Sequence, residues 1–453
     1  MNQSEFDAIV VGGGPGGASA AFALGKLGIS TLLIDKKPME LIGDKVCGDA
    51  LSPYYFDRAN KEIGLPKPVK STGSLCEELD HTYLLGERKG SRIVLSEGSA
   101  TVDRLLYGQE LIKSLDEFSS VEVMAETSVK DVIIEGKYVR GLKLKTPDGN
   151  QTVKCKIVID ASGLTGAVRK RIPQELAGNR FPNRLDPDEI IVAYREIIRT
   201  PQPHPYQNGL YLAYEPEIAD VMPGYYWYFS RGECELNIGC GYMTYEKNKG
   251  QNIRLINEKV RKRRFPNAEI IKSQGDLIPA RLPFPSLVYN GFMMVGDAGA
   301  LCNPLTGEGH GPAILSGVKA GEIAAESIQK GDQSEQFLWK YNKDMWHEYG
   351  TINSWGIAVI KFVNRWGFKT FDWLMAKKII QEDDILVISS NPDADLKLLS
   401  RAKRGFYRPR VLLSLQRMMK IARDIQEHSK KYPDMENFDK WLSELNKITK
   451  RKV

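Results

Sequence analysis

The sequence of 453 residues holds only five histidines and six cysteines, and neither type is arranged to bind a metal. Cys47, Cys76, Cys155, Cys234, Cys240 and Cys302 form no C-x-x-C pair and meet no histidine at ligand spacing. That excludes a zinc site and a disulfide framework and leaves reduced thiols. Long hydrophobic runs are missing too: no stretch reaches ~18 uninterrupted apolar residues, so no membrane-spanning helix is expected. The opening residues, MNQSEFD, lack a basic segment followed by an apolar one and predict no secretory leader, hence a cytoplasmic protein. Charge of one sign is also scarce. The 63 Lys+Arg against 57 Asp+Glu leave a net +6, too little over this length for a nucleic-acid footprint, and no nucleic-acid partner is expected. Most of the excess is local, with 15 basic against 6 acidic residues between Arg401 and Val453.

What is present is the material of a large globular chain. Hydrophobic residues make up 42% and charged residues 26%, with 41 glycines and 23 prolines, which excludes disorder and collagen-like structure. The chain opens with a short β-branched run, Phe6 to Val11, then a glycine turn, an Ala-rich helical stretch and a second strand at Thr31 to Asp35: a βαβ unit. Strands follow near Val121, at Val129 to Tyr138 and at Ile157 to Asp160, with the hairpin signal Pro147-Asp148-Gly149-Asn150 between the last two. From about 182 to 280 apolar and aromatic residues alternate, predicting an antiparallel sheet, and beyond Gly331 nearly everything reads as amphipathic helix.

The turn after the first strand is Gly12-x-Gly14-x-x-Gly17, including Pro15 and Gly16, and it opens a helix. The first glycine permits the tight turn, the second lets the backbone approach a pyrophosphate, and the third lets helix and strand pack closely. The helix N-terminus offers free N–H groups and partial positive charge to phosphates. Asp35, followed by Lys36, stands where a carboxylate accepts from a ribose hydroxyl. This turn alone does not separate NAD from FAD; two later glycine sites favour FAD. One is Ile157 to Arg169, a strand ending in Asp160 before Gly163. The other is Phe292 to Gly311, with Gly296-Asp297 for a ribityl hydroxyl and a second helix start at Gly307, Gly309, His310 and Gly311 facing the flavin pyrimidine end.

Taken in order, these motifs and Arg104 in TVDRLLYGQEL resemble the FAD-dependent family of aromatic hydroxylases, flavin-dependent halogenases and geranylgeranyl reductases, over roughly residues 5 to 330. The resemblance implies FAD contacts from Arg104, Ala125 and the Lys45-Val46-Cys47-Gly48 segment. Ser162 stands where hydroxylases usually carry a second acidic residue. Pro223-Gly224-Tyr225-Tyr226-Trp227-Tyr228-Phe229 is similar to the geranylgeranyl reductase signature Tyr-x-Trp-x-Phe-Pro, departing only at its end, where Ser230 replaces proline. In a strand, Tyr225, Trp227 and Phe229 share one face. That face either fills a sheet core or, as the resemblance implies, lines a tunnel for a prenyl chain.

The resemblance thus implies an α/β chain with a Rossmann-like FAD domain (1–75, 101–180, 285–330), an inserted antiparallel-sheet substrate domain (76–100, 181–284) and a C-terminal helical region (331–453). It implies saturation of isolated C=C bonds in geranylgeranyl chains or prenylated glycerophospholipids of archaeal type. The electrons would come from an external donor: ferredoxin, reduced nicotinamide or deazaflavin. Water, Cys47 and His310 stand as candidate proton sources. The rival readings are a halogenase or monooxygenase and a non-catalytic prenyl-binding escort. The amphipathic segments 354–380 and 411–427 either cap the tunnel and rest on the inner face of the cell membrane or pack on the main body. The Lys259 to Arg264 cluster reads as a solvated helix face.

Overall fold

The computed structural model describes residues 3–218, 221, 223–389 and 399–453. The β-branched run opens as the strand Gln3–Val11, fully buried from Ala8 to Val10, and lies parallel to Thr31–Ile34 on one side and Gly149–Asp160 on the other. The helix Pro15–Lys26 connects the first two strands. Pro15 stands in its first turn, where a missing N–H costs nothing. An eight-stranded mixed sheet results, running Val288–Tyr289, Phe292–Met294, Gly149–Asp160, Gln3–Val11, Thr31–Ile34 and Val121–Met124. The antiparallel strands Tyr138–Thr146 and Ser128–Glu135 branch from the first half of Gly149–Asp160. Because four central strands are parallel, Gly12, Asp35, Ala161 and Gly296 emerge along the same edge of the sheet. That is where open α/β sheets place their ligands.

A second sheet of seven strands runs Glu269–Pro279, Ile190–Arg199, Glu235–Met243, Gly224–Ser230, Gly209–Ala213, His81–Leu85 and Arg92–Leu95. It is antiparallel except where His81–Leu85 joins Gly209–Ala213 in parallel. Residues 76–79, expected with this sheet, pair instead with Ser99–Val102 in a small three-stranded sheet. The cause is local: the single residue Asp80 separates the strands Leu75–Leu79 and His81–Leu85, and the chain passes from one sheet to the other there.

The C-terminal part is helical. Glu335–Met345, a π turn at Trp346–Gly350 and Thr351–Trp366 run continuously, followed by Phe368–Ala376, Glu382–Ser389, Pro409–Lys430 and Phe438–Thr449. Of the two amphipathic segments, the first walls a cavity through Val359, Ile360, Val363, Phe368 and Phe371. The helix Pro409–Lys430 instead lays Leu415, Met419, Ala422 and Ile425 into the core and leaves Arg417, Lys420 and Arg423 on the surface. It is pinned through Trp355 Nε1 to Gln426 at 3.2 Å and Trp366 Nε1 to Ser414 at 2.6 Å. The cluster at Lys259 to Arg264 is not simply solvated. Arg261 pairs with Glu196 at 2.8 Å, and Arg263 and Arg264 meet the buried Glu215 at 2.5 and 2.9 Å.

Candidate active site

Three glycine turns at the strand ends, at Gly12, Gly163 and Gly296, and the loop from Gly307 to Gly309 open into one cavity of about 1910 Å³. Ordinary small-molecule clefts hold ~300–1,000 Å³, so this one has room for two ligands. In the first turn Gly12 takes φ +103°, and a Cβ there would lie 2.6 Å from the Ala161 carbonyl; nothing stands within 4 Å of the corresponding point at Gly14. Gly12, Gly14, Pro15 and Gly16 line the cavity, and no side chain caps the helix that follows, so its first amides and dipole are free for an anion. Asp35 and Lys36 lie alongside; the Asp35 carboxylate accepts from the Gly13 amide at 2.7 Å and the Lys37 amide at 2.9 Å. Arg104, buried at the start of the helix Arg104–Lys113, also lines the cavity.

Asp297, at the end of Phe292–Met294 and its connecting residues, holds Lys45 Nζ at 2.5 Å through Oδ2, while its Oδ1 is buried with no partner. A Cβ on Gly309 would stand 2.9 Å from that same Oδ1, so the approach of the helix His310–Gln329 to Asp297 depends on glycine. Gly309 precedes that helix without a side-chain cap, leaving a second set of free amides beside Gly296, Gly307 and Gly163 in the cavity wall. His310 lines the cavity as well, its ring 5.7 Å from Tyr107. Burial, reinforced by Arg104 and Lys45, drives its pKa well below the usual histidine range. His310 is therefore neutral, which argues against it as the acid.

Several expected contacts fall elsewhere. Asp160 is fully buried and does not reach the cavity: its carboxylate accepts from the Ser162 amide and hydroxyl and from the Val168 and Arg169 amides, at 2.6 to 3.1 Å. It shapes the loop Ala161 to Arg169. Gly17 packs as the third glycine of the turn is expected to, a Cβ there lying only 1.8 Å from Gly12 O, whereas Gly311, expected to face the flavin end, is a packing glycine as well, where a Cβ would enter the Tyr55 ring at 2.1 Å. Ala125 lies outside the cavity wall, which Thr127 and Ser128 supply instead.

The aromatic strand borders the same cavity. Tyr225, Trp227 and Phe229 face it, with ring centroids 6.1 Å apart along the row, while Tyr226 and Tyr228 are buried on the other face. Gly48 is pressed on this row: a Cβ there would stand 2.7 Å from the Phe229 ring. Trp227 Nε1 donates to Asn237 Oδ1 at 2.9 Å, and Asn237 Nδ2 donates to the Cys47 carbonyl at 2.9 Å and to Asp49 at 2.8 Å. Asp49 in turn is paired with the buried Arg231 at 2.6 Å. Sequence reasoning passed over Asn237, Asp49 and Arg231, since single polar residues inside strands and loops give no spacing signal. It also passed over Tyr55 and Glu308, although Glu308 sits conspicuously between two turn glycines.

The residues suit FAD. A buried carboxylate oxygen without a donor, two uncapped helix starts and a buried cavity-facing arginine match a ribityl hydroxyl, a pyrophosphate and the polar edge of an isoalloxazine. Fold and site together define an FAD-dependent oxidoreductase, and the model of the FAD dependent oxidoreductase family matches residues 7–169. The chain belongs to the digeranylgeranylglycerophospholipid reductase family. It is 29% identical to the reductase of that name from Sulfolobus acidocaldarius over 99% of this chain and 98% of the relative. It is 30% identical to digeranylgeranylglycerophospholipid reductase 2 of Methanococcoides burtonii over 76% and 80%. A crystal structure of a geranylgeranyl bacteriochlorophyll reductase-like protein from Thermoplasma acidophilum shares the fold. Its TM-score is 0.69 at 24% identity, covering 92% of this chain and all of that one.

Proposed function

We propose that the protein is an FAD-dependent reductase that saturates isolated C=C bonds in the geranylgeranyl chains of a prenylated glycerophospholipid. The observation that carries this reading is the single cavity in which the FAD-type turns and the aromatic row meet. Gly12 to Gly16 and Arg104 would hold the FAD phosphates, Asp35 a ribose hydroxyl, Asp297 the ribityl chain, and the amides at Gly309 the flavin end. When bound and reduced, FAD supplies a hydride.

The rest of the work falls to the protein. An isolated trisubstituted alkene has no carbonyl to polarise it, so positive charge builds on its tertiary carbon as a proton arrives at its neighbour. The faces of Tyr225, Trp227 and Phe229 stabilise such charge by ~0.5–2 kcal/mol each. The apolar walls from Leu84, Leu212, Val359 and Phe371 keep out water that would capture the cation. Electrons enter from an external donor, ferredoxin or a reduced nicotinamide or deazaflavin. The test is mass spectrometry of the lipid after anaerobic incubation with chemically reduced holoenzyme. Added pairs of hydrogens are expected, and an unchanged lipid would refute the reading.

No helix among the described residues is long and apolar enough to cross a membrane. We place the lipid-facing surface around Phe406, Tyr407 and Leu413, which are 77%, 51% and 54% exposed, with the exposed Arg404, Arg410 and Arg417 close to them along the chain. Tyr407 accepts from Trp373 Nε1 at 2.8 Å, and Trp373 belongs to the helix Phe368–Ala376 that walls the cavity. The patch thus backs onto the chamber. Replacing Phe406 and Leu413 together by serine should lower cosedimentation with phosphatidylglycerol vesicles severalfold, and 1 M salt should weaken what remains. Equal binding by the variant would rule the patch out.

A further inference from the structure

We propose that Glu308 is the acid that protonates the substrate double bond. The inference rests on the reductase reading above and concerns a residue which that reading leaves without a role.

Glu308 sits at the junction of the two halves of the cavity. Two residues before it, the Thr306 carbonyl accepts from the Tyr225 hydroxyl and so ties the loop to the aromatic strand; one residue after it, Gly309 packs against Asp297 Oδ1. The backbone at Glu308 is fixed, its amide donating to Thr306 Oγ1 at 3.2 Å and its carbonyl accepting from the Asn303 amide at 2.9 Å. The side chain lines the cavity, and its Oε1 is buried without a hydrogen-bond partner. Every other carboxylate in the cavity wall is ion-paired, held by two amides or exposed. Asp35 takes two amides, Asp44 takes Lys272, Asp297 takes Lys45 and Glu348 takes Arg58, while Glu97 and Asp276 are exposed. Among the described residues Glu308 has no ion pair and its buried Oε1 has no hydrogen-bond partner, which is the environment that keeps a carboxylic acid protonated.

Its surroundings agree. Burial pushes the Glu308 carboxyl up to about 7, with the Ser52 amide opposing and Glu97 adding to the rise. The other titratable groups that face it, Tyr55, Tyr225 and Cys302, are pushed up by burial and stay uncharged. At neutral pH a large share of Glu308 therefore carries a proton, whereas His310, held neutral, is too weak an acid to give its own.

The step balances as follows. The alkene π pair forms a C–H bond at the less substituted carbon as the Glu308 O–H bond breaks, its electrons remaining on the carboxylate. The tertiary carbon receives a hydride, with its two electrons, from the reduced flavin. The alkene gains two hydrogens, the flavin is oxidised, and the carboxylate recovers a proton from water before the next bond.

The test uses the flavin-loaded full chain, reduced with dithionite in the absence of oxygen, and digeranylgeranylglycerophospholipid in detergent micelles. Glu308→Gln should lose ~10²-fold or more in double-bond reduction, the scale of a positioned acid, with FAD content unchanged. Wild-type activity should fall as pH rises through about 7, where the acid deprotonates. The residual activity of the glutamine variant should lack that limb, and Glu308→Asp should recover part of the rate with a shifted midpoint. Infrared spectroscopy gives a readout independent of turnover: a protonated-carboxyl band that disappears near the same pH in wild type and is absent from Glu308→Gln. A glutamine variant within a few-fold of wild type, or one that keeps the alkaline limb, overturns the proposal while the reductase reading stands. A wild-type enzyme that adds no hydrogen removes both. Should Glu308→Gln fail to hold FAD, Glu308→Asp decides, and an unshifted midpoint counts against the proposal.

Discussion

Asp297→Ala should emerge from purification with little flavin, its apoprotein binding FAD ten- to a hundredfold more weakly than wild type. A hydrogen bond to a charged group contributes about 1.5–3 kcal/mol, which spans that range. The argument turns on the two carboxylate oxygens. Oδ2 already neutralises Lys45 at 2.5 Å, so the substitution leaves an ammonium in the cavity without its counter-charge, and Oδ1 is the buried acceptor still free for a hydroxyl. Burial works to lower the Lys45 pKa, and it is the Asp297 carboxylate that outweighs it and holds the ammonium above its ordinary value. Removing the carboxylate reverses that balance as well. The measurement is the flavin-to-protein absorbance ratio, followed by titration of the apoprotein. Full occupancy in the alanine variant would contradict the ribityl assignment.

The contrast with Asp160 shows how far the sequence could be read. Both aspartates lie at the ends of neighbouring parallel strands, both are followed by alanine with a glycine within three residues, and nothing in composition separates them. The difference is made by what the following residues do. Ser162, Val168 and Arg169 fold back and use up the Asp160 carboxylate, whereas the turn after Asp297 leads away and leaves one oxygen bare. Such a difference depends on the path of a loop, which residue type and spacing do not encode.

The first glycine turn was legible because its backbone demands are local: Gly12 needs its positive φ and Gly14 its open side whatever surrounds them. Gly17 packs helix against turn, as the third glycine of that motif requires, whereas Gly311, expected at the flavin end, proves to serve packing too, since a missing side chain looks the same for either purpose. The alternation in Gly224–Ser230 put Tyr225, Trp227 and Phe229 on one face and Tyr226 and Tyr228 on the other, period 2 being a property of the strand alone, and left open which of the two borders a cavity. What borders that face is set by contacts between residues distant in sequence. Cys47 reaches it through Asn237, and Thr306 is tied to it by Tyr225.

Trp227→Ala is expected to cost up to about thirtyfold in double-bond reduction while leaving FAD content at the wild-type level. The indole is the middle ring of the row and offers the largest face, and about 2 kcal/mol of charge stabilisation corresponds to that factor. The turns that would hold FAD do not depend on it. The substitution does two further things: it leaves Asn237 Oδ1 without its donor, and it opens space beside the reacting chain that water can enter. Trp227→Phe separates these effects, because it keeps an aromatic face and loses the N–H. If the face is what matters, the phenylalanine variant retains most of the activity and the alanine variant does not. If the Nε1 link to Asn237 and through it to Cys47 and Asp49 is what matters, the two variants fall together. Admitted water leaves its own trace, since a captured cation becomes a tertiary alcohol, and mass spectrometry of the alanine variant's products should show lipid carrying the elements of water. Full activity in Trp227→Ala, with no alcohol formed, would mean that the aromatic row is ordinary sheet packing beside the site and takes no part in the reaction.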